Sequence, residues 1–465
     1  MHRWTALGVL SAAGLMTILD GSIVTVAMPA IQQDVGFSPA GLSWMVNAYL
    51  IPFGGLLLLA GRLGDLVGRR AMFLAGNAVF TAASLLAGLA STPGMLIAAR
   101  FLQGAGSAMA SAVVLGILVT IFTDDADRGR AIAIFSFTGA AGASIGQVLG
   151  GVLTDTLSWP WIFFINVPIG LATIVLAVRV LPRDRGLGLS AGADVLGAAL
   201  VTSGLMLGIY TVVQGGAQWW TGVVSAALLA GFVIRQATAA NPLMPLRILR
   251  SRNVTGANLA QMLALSGMFA FQILVALYMQ KVLGYTALET GLAMLPAAVG
   301  IGIVSLLVSA RVSARFGART VLLAGLVLLI AAMVLLTRIP VRAGYVTDLL
   351  PVMVLISGGG LVLPALATLG MSGARESDAG LASGLFNTTQ QVGMAIGVAV
   401  LSTLAASRTE GLLASGWTQA EALTGGYRLA FATSAGLLAT GFLVALTVLR
   451  PARSRAHGNA LNSAG

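Results

Sequence analysis

The chain has 465 residues, of which 57% are hydrophobic and only 9% are charged. A soluble globular domain carries about 25% charged residues, so the composition excludes a water-soluble fold of this size. The net charge of +11 is spread over short loops and forms no single patch, which argues against a nucleic-acid partner. The absence of Cys excludes thiol chemistry, and the two His residues lie near the chain ends, which leaves little for a metal or redox cofactor. The chain is therefore predicted to be a polytopic membrane protein.

Fourteen apolar segments follow one another along the chain, each bounded by charged or turn-forming residues. A transmembrane helix needs about 20 mainly apolar residues, and continuous runs of this kind predict helices rather than barrel strands. The first run is too long for a signal peptide, so we expect it to be retained as the first span. In chain order the segments cover about 5–28, 41–60, 71–91, 95–121, 129–154, 161–181, 192–214, 218–237, 254–280, 287–310, 319–337, 349–371, 381–405 and 427–449.

The positions of the basic residues predict how these helices are oriented. With a cytoplasmic N-terminus, 20 of the 26 Lys and Arg residues fall in loops and tails on the cytoplasmic side and five on the other side. Such a bias is the usual signature of membrane topology. We therefore expect a multi-pass protein of the cell membrane with both termini in the cytoplasm, as an even number of spans requires.

The two parts of the chain contain a weak internal repeat. The loop GRLGDLVGRR at 61–70 matches the loop ARVSARFGAR at 310–319, and spans 5 and 13 match at nearly the same offset. Duplicated membrane halves are typical of secondary transporters, which bind substrate between the halves near mid-membrane. The repeat predicts a six-helix half at 1–185, an inserted helix pair at 186–240, and a second six-helix half with a short tail at 241–465.

Two ionisable side chains lie well inside predicted spans, Asp20 in span 1 and Arg100 in span 4. Charges at membrane depth are costly and normally face a cavity or a partner. Desolvation favours the protonated form of Asp20, which would suit a proton carrier; the alternative is a packing Asp held by a neighbouring donor. Arg100 stays charged and either offsets the cost of an ionised Asp20, interacts with the carrier, or anchors backbone carbonyls.

The loop between spans 2 and 3 has a mechanical interpretation. It contains Gly61, Asp65, Gly68, Arg69 and Arg70. Glycines permit a tight turn, and the carboxylate can bind a helix N-terminus or an Arg side chain. Such a cluster can latch two helices at the cytoplasmic face in one conformation and release them in another. The alternative is a basic turn that only sets the topology.

Span 5 contains glycines at the spacing that lets helix backbones pack closely. They lie in the segment GASIGQVLGG, which includes Gly142, Gly146, Gln147, Gly150 and Gly151. Close packing explains this pattern, and a bending or leak-sealing role would be a further step.

Other polar side chains inside spans could line a cavity or join helices to one another. The candidates are Asn47, Tyr49 and Gln103 in the first half and Asn258, Gln261, Gln272, Asn387, Gln390 and Gln391 in the second.

The sequence also narrows the source of energy for transport. A nucleotide-binding Walker loop needs Gly-Lys-Ser/Thr, and the single Lys lies in Gln280-Lys281-Val282. An ion gradient is therefore the simpler energy source, and we expect no cofactor.

In these motifs the sequence resembles the major facilitator superfamily, and within it the 14-span drug:proton antiporters of the EmrB/QacA type. The resemblance covers essentially the whole chain and implies an all-α fold of two pseudo-repeated six-helix halves plus two inserted helices. It also implies proton coupling at Asp20 and Arg100. The motifs that carry it are the span 1 motif around Asp20, the loop at 61–70, the span 4 motif at 100–106, the antiporter motif at 142–151, the segment at 161–168, and the segments at 282–285 and 380–384.

The resemblance implies a proton-driven exporter of small amphipathic compounds such as drugs or antibiotics, working by alternating access in the lipid bilayer. We expect the protein to be a monomer that binds no nucleic acid. Outside protons would load Asp20, and their release inside would be exchanged for substrate. Gln147 stands where the antiporter motif usually has Pro, which weakens the inference to transport direction. Asp20 is the one acid deep in a span, so we expect monocationic, neutral or zwitterionic substrates rather than dications.

Two alternatives stay open from the sequence. One is a transporter with a different role, either a dedicated exporter of one metabolite, lipid or siderophore, or a proton symporter for uptake. The more remote one is a membrane enzyme or complex subunit, which would need convergent carboxylates, His residues or a soluble catalytic domain. The longest outer loop, about 406–426, is too short for such a domain, so we expect a transporter and not an enzyme.

Overall fold

The structure, a computed structural model, describes residues 2–39, 41–184, 186, 188, 194–214, 218–240, 242–243, 246–372 and 379–449. The predicted cytoplasmic tail at 450–465 and the predicted boundary residues 185 and 241 lie outside these residues. Across the described part of the chain the secondary structure is helical, with no strand, which confirms the all-α fold.

Within the described residues, fourteen long helices correspond to the fourteen apolar segments of the sequence. Thirteen are long and apolar enough to cross a membrane by length and composition, and the other, α5, is a helix of 32 residues. They are α1 (His2–Val35), α2 (Trp44–Val67), α3 (Arg69–Gly88), α4 (Pro93–Ile121), α5 (Asp125–Thr156), α6 (Trp161–Val180), α7 (Val195–Val213), α8 (Trp219–Thr238), α9 (Arg252–Lys281), α10 (Ala287–Phe316), α11 (Ala318–Leu336), α12 (Tyr345–Gly370), α13 (Ala379–Ala414) and α14 (Gln419–Thr447).

The same helix pairs are in contact in the first and the last six helices. In the first group α1 packs on α5, and α3 packs on α4 and α6; in the last group α9 packs on α13, and α11 packs on α12 and α14. This is the arrangement that a duplicated sequence predicts. The two groups meet along two seams, α2 with α13 and α5 with α10. The inserted α7 and α8 pack on each other, and α7 also contacts α2 and α13.

The glycines of span 5 bring α5 close to two different helices. A Cβ atom at Gly146 would lie 2.9 Å from the carbonyl oxygen of Leu19 on α1, and one at Gly151 would lie 2.7 Å from that of Ala287 on α10. Close packing, the first of the two interpretations, is therefore present on both sides of α5. The helix runs without interruption through Gln147, whose backbone N–H a Pro would lack. Three of the glycines face α1, namely Gly142, Gly146 and Gly150.

A buried carboxylate fastens the inserted helices to each other. Asp194 caps α7 by accepting from the Gly197 N–H at 2.9 Å, and it also accepts from Arg235 at 3.0 Å and Gln236 at 2.9 Å on α8. Burial alone would raise the pKa of Asp194, but these hydrogen bonds and the Arg235 charge hold its pKa below the ordinary value. Nothing in the sequence indicated this contact.

Candidate substrate cavity and buried ion pair

A cavity of about 1340 Å³ lies between the two six-helix groups. It extends to the end of the bundle that carries the 61–70 loop, hereafter the basic end, where Gly61, Arg62, Asp65 and Arg69 line it. At the other end, hereafter the far end, hydrogen bonds join the two groups. Lys281 on α9 donates to Gln32 on α1, and the Leu288 N–H at the start of α10 donates to Asp155 of α5 at 2.8 Å. The cavity is therefore open toward the basic end and closed at the far end.

The wall of the cavity combines apolar side chains with neutral amides. Phe53, Met268 and Phe269 are among its apolar residues, and Gln147 of the antiporter motif faces it as well. The charged residues of the described lining are those at the basic end. Five of the predicted cavity residues are in the lining, namely Tyr49, Gln272, Asn387, Gln390 and Gln391.

Four other predicted cavity residues do not line it, which corrects the sequence interpretation: Asn47, Gln103, Asn258 and Gln261. Asn258 on α9 accepts from Thr389 on α13 at 2.6 Å, and Gln261 donates to the Phe386 carbonyl on α13 at 2.8 Å. Both therefore join helices, because a polar side chain between two packed helices needs a partner there. Asn47 is fully buried and does not line the cavity.

Asp20 and Arg100 form a fully buried ion pair. The Arg100 Nη1 lies 2.5 Å from Asp20 Oδ2, and both side chains are 1% exposed or less. The other carboxylate oxygen, Oδ1, accepts from Gln103 Nε2 at 3.1 Å and from Asn166 Nδ2 at 2.9 Å. Arg100 donates further to the Gln103 Oε1 and to the Met45 carbonyl, each at 2.9 Å. Both oxygens of Asp20 thus accept from N–H donors, the arrangement that suits a carboxylate.

The network shows the neighbouring donors that the sequence left open as an alternative for Asp20. Three donor groups surround its carboxyl group, from Arg100, Gln103 and Asn166. Because Gln103 is hydrogen-bonded to Asp20 and Arg100, it does not line the cavity. The third, Asn166 on α6, was missed as a site residue because nothing in the sequence pairs it with Asp20.

The ion pair lies one side chain away from the cavity. Neither Asp20 nor Arg100 lines the cavity, but Tyr49 does, and the Arg100 Cζ is 4.5 Å from the centre of the Tyr49 ring. Phe163 lies on another side of the guanidinium, with its ring centre 5.9 Å away. The Tyr49 hydroxyl donates to Ser107 at 2.9 Å. Such contacts between Arg and aromatic rings are attractive, and more so in a desolvated site.

The 61–70 loop is held by contacts within the first half. The Arg69 guanidinium lies 3.2 Å from Asp65, and Gly68 has a φ of +103°, which favours glycine. Asp184, from the segment after α6, accepts from the backbone N–H groups of Arg69 at 2.5 Å and Arg70 at 3.1 Å. A carboxylate at a helix N-terminus is stabilising there, so Asp184 holds the start of α3. The sequence interpretation missed it, although it is an acid in a mainly basic segment.

The equivalent loop of the second half is held in the same way. Gly317 also has positive φ, at +82°, and Arg319 donates to the Leu446 carbonyl on α14. In the first half Arg70 donates to the Val178 carbonyl on α6 at 2.5 Å. The two loops therefore make matching contacts with the sixth helix of their own group.

Two helical groups around a central cavity, closed at one end and open at the other, define a multi-pass membrane carrier. The sequence profile of the Major Facilitator Superfamily matches residues 10–398, and the chain belongs to this superfamily. The resemblance seen in the motifs is thereby confirmed.

Several relatives are named as antibiotic resistance or export proteins. The chain is 41% identical over 418 residues to a cephamycin export protein of Amycolatopsis lactamdurans, covering 88% of this chain and 86% of that protein. It is 36% identical over 451 residues to a puromycin resistance protein of Streptomyces alboniger, covering 94% and 89%. A solved bacterial homologue of the human lysosomal transporter Spinster, described as inward-facing and unoccupied, has a TM-score of 0.68 at 16% identity, covering 98% of this chain and 99% of that one. This last likeness concerns the fold alone.

Proposed function

We propose that this protein is a proton-coupled antiporter that exports small amphipathic compounds from the cytoplasm across the cell membrane. One observation carries the proposal: a fully buried Asp20–Arg100 pair lies one side chain from a cavity between the two halves. Ionisable residues inside a membrane mark ion pathways and proton relays. The relatives named for cephamycin export and puromycin resistance support export as the direction.

In this proposal the basic end faces the cytoplasm, because Lys and Arg residues concentrate there. The structure then represents the state that is open to the cytoplasm. Substrate enters the cavity while Asp20 is ionised and paired with Arg100. For substrate to leave, the far-end contacts Lys281–Gln32 and Leu288–Asp155 must break, while the basic end closes.

The proton completes the cycle. In the state open to the outside, a proton binds the carboxylate of Asp20 and removes the negative charge that holds Arg100. The protein returns to the cytoplasm-open state, the proton leaves, and Asp20 pairs with Arg100 again. One proton moves inward at this site as substrate moves outward, so the proton gradient drives export.

The lining of the cavity supports neutral, zwitterionic or monocationic substrates. Its body is apolar and amide-lined, and the one carboxylate in the described lining, Asp65, lies at the basic end next to Arg69. A dication would therefore lose its hydration without gaining two carboxylate partners. Aromatic and Met side chains suit molecules with a bulky apolar part.

A substrate panel in proteoliposomes tests the proposal. The panel is ethidium, propidium, puromycin and a cephamycin; propidium shares the ring system of ethidium but carries a second fixed positive charge. With an acidic lumen, we expect accumulation of ethidium and at least one of the antibiotics, abolished by a protonophore. We expect slower transport of propidium. Substrate accumulation that is the same with and without the pH gradient would contradict proton coupling. Equal transport rates for ethidium and propidium would contradict the preference for monocations over dications.

The same panel tests a narrower function. Two of the relatives bear the names of single antibiotics, cephamycin and puromycin, which supports a dedicated exporter as the second candidate. Transport of one antibiotic and no other compound of the panel would support the dedicated exporter. Transport of chemically unrelated members would support a broad drug exporter.

A further inference from the structure

We propose that Tyr49 couples the substrate cavity to the ion pair: an aromatic part of the substrate packed against Tyr49 holds Arg100 on Asp20 and so expels the proton. The inference rests on the proposed function, since it names the residue through which the two sites of an antiporter communicate. Tyr49 is a positioning residue in this scheme, because it acts on Arg100 and carries no proton itself.

The Tyr49 ring contacts both the cavity and the ion pair. It contacts the Arg100 guanidinium at 4.5 Å from the ring centre, and it also lines the cavity. Asp20 and Arg100 are both absent from the cavity wall. Of the described side chains that contact the Arg100 guanidinium, Tyr49 is the one that lines the cavity, so a molecule in the cavity can act on Arg100 through this ring.

Tyr49 is held by α4 on one side and faces the cavity on another. Its backbone is pressed against α4, since a Cβ atom at Gly104 would lie 2.2 Å from the Tyr49 carbonyl oxygen. Its hydroxyl is held by Ser107 at 2.9 Å, also on α4. On the cavity side Phe53, which also lines the cavity, packs edge-on against Tyr49 at 5.7 Å between ring centres. Together the two rings offer an aromatic surface to a planar substrate.

These contacts give the coupling a direction that fits exchange. With substrate packed on it, the Tyr49 ring stays against Arg100, and Arg100 stays on the ionised Asp20. With the cavity empty, the ring can swing into the cavity, Arg100 loses its aromatic contact, and Asp20 can take up a proton. Substrate and proton then exclude each other, as linkage between two sites requires.

The pH dependence of this coupling belongs to Asp20. Among the described residues, the titratable or charged groups that face it are Arg100 from α4 and Tyr49 from α2. The network brings the neutral Asn166 from α6 directly to the carboxylate, and the neutral Ser84 from α3 through Gln103. Close to Asp20 along the chain, α5 contacts α1 through glycines, which have no titratable side chain.

The test measures the affinity for ethidium, a planar cation of fixed charge, as a function of pH in purified detergent-solubilised protein. Wild-type affinity should rise with pH by up to about tenfold per pH unit, the slope for release of one proton. Two ring-free variants, Tyr49→Leu and Tyr49→Met, should lose this slope. Tyr49→Phe, which keeps the ring, should retain it. Phe53→Leu, which alters the cavity wall without touching Arg100, should bind ethidium more weakly with the slope unchanged.

Four outcomes of the ethidium-binding experiment would contradict part of this account. A steep profile in a folded ring-free variant would overturn the role of Tyr49 and leave proton antiport standing. A flat Tyr49→Phe profile would overturn it too, because the hydroxyl would then carry the coupling. An ethidium affinity of the wild type that does not change with pH would contradict both the coupling through Tyr49 and the proton antiport of the proposed function. Wild-type protein that binds no ethidium would contradict the aromatic substrate class.

Discussion

Replacing Gly146 by Ala tests whether the close packing of α5 on α1 supports the ion-pair site. The added Cβ atom would stand 2.0 Å from Ser22 Oγ and 2.9 Å from the Leu19 carbonyl oxygen. The Ser22 side chain can rotate away, but the backbone at Leu19 cannot. To reach an ordinary contact of 3.4 Å, α1 must move by about 0.5 Å. Because Leu19 precedes Asp20, this movement also displaces the ion pair.

We expect Gly146→Ala to lower the free energy of unfolding by about 1–3 kcal/mol, the usual cost of overpacking, and to lower transport as well. Thermal denaturation in detergent and ethidium uptake into proteoliposomes measure the two effects. Gly8→Ala and Gly436→Ala are matched controls, since nothing lies within 4 Å of a Cβ atom at either position. Their higher helix propensity should leave stability equal or slightly raised. If Gly146→Ala melts and transports like wild type, α5 does not constrain α1 as described.

Three further predictions concern other parts of the fold. Asp194→Ala should lower the free energy of unfolding by about 1–2 kcal/mol through the lost helix cap. Because folding lowers the pKa of Asp194, this contribution is present above the pKa of the unfolded state and disappears as the pH falls through the pKa of the folded state. The melting temperatures of variant and wild type should therefore converge at acid pH. Gly68→Ala should lower the melting temperature by imposing about 1–2 kcal/mol of strain at a φ of +103°, whereas Gly8→Ala should not. Gln32→Cys with Lys281→Cys, in this Cys-free chain, should be joined through two disulfides by a bifunctional methanethiosulfonate. The cross-link should stop transport until a thiol reductant cleaves it, and undiminished transport after complete cross-linking would contradict far-end opening.

The helices and their order could be predicted from the sequence because a lipid environment leaves so few options. Each span needs about 20 apolar residues, and each backbone must satisfy its own hydrogen bonds. The two charges at membrane depth, Asp20 and Arg100, also stood out, because such residues need a partner or a cavity. That they would contact each other directly was one of several options that the sequence left open.

The partners of that pair could not be predicted, because they come from helices far apart along the chain. Asn166 lies 146 residues from Asp20, and only the packing of α6 on α1 brings the two together. The sequence also could not predict that the polar residues of α9 have two different roles. Asn258 and Gln261 share a helix side with Gln272, yet the first two contact α13 and only the third lines the cavity. A long helix has different neighbours at different depths, so one face of it can serve two purposes.

The central claim is that protons move through Asp20 in exchange for substrate, and substrate-dependent proton flux tests it most directly. Proteoliposomes with a lumenal pH indicator and an acidic lumen are given ethidium, and the lumenal pH is followed. Asp20→Asn keeps one acceptor oxygen for Arg100 but cannot exchange the proton. Asp34→Asn is the control, since Asp34 lies on the same helix and accepts from Trp159 at 2.7 Å, outside the ion pair. The account predicts ethidium-dependent lumenal alkalinisation by wild type and Asp34→Asn and none by correctly folded Asp20→Asn; alkalinisation by Asp20→Asn at the wild-type rate would contradict it.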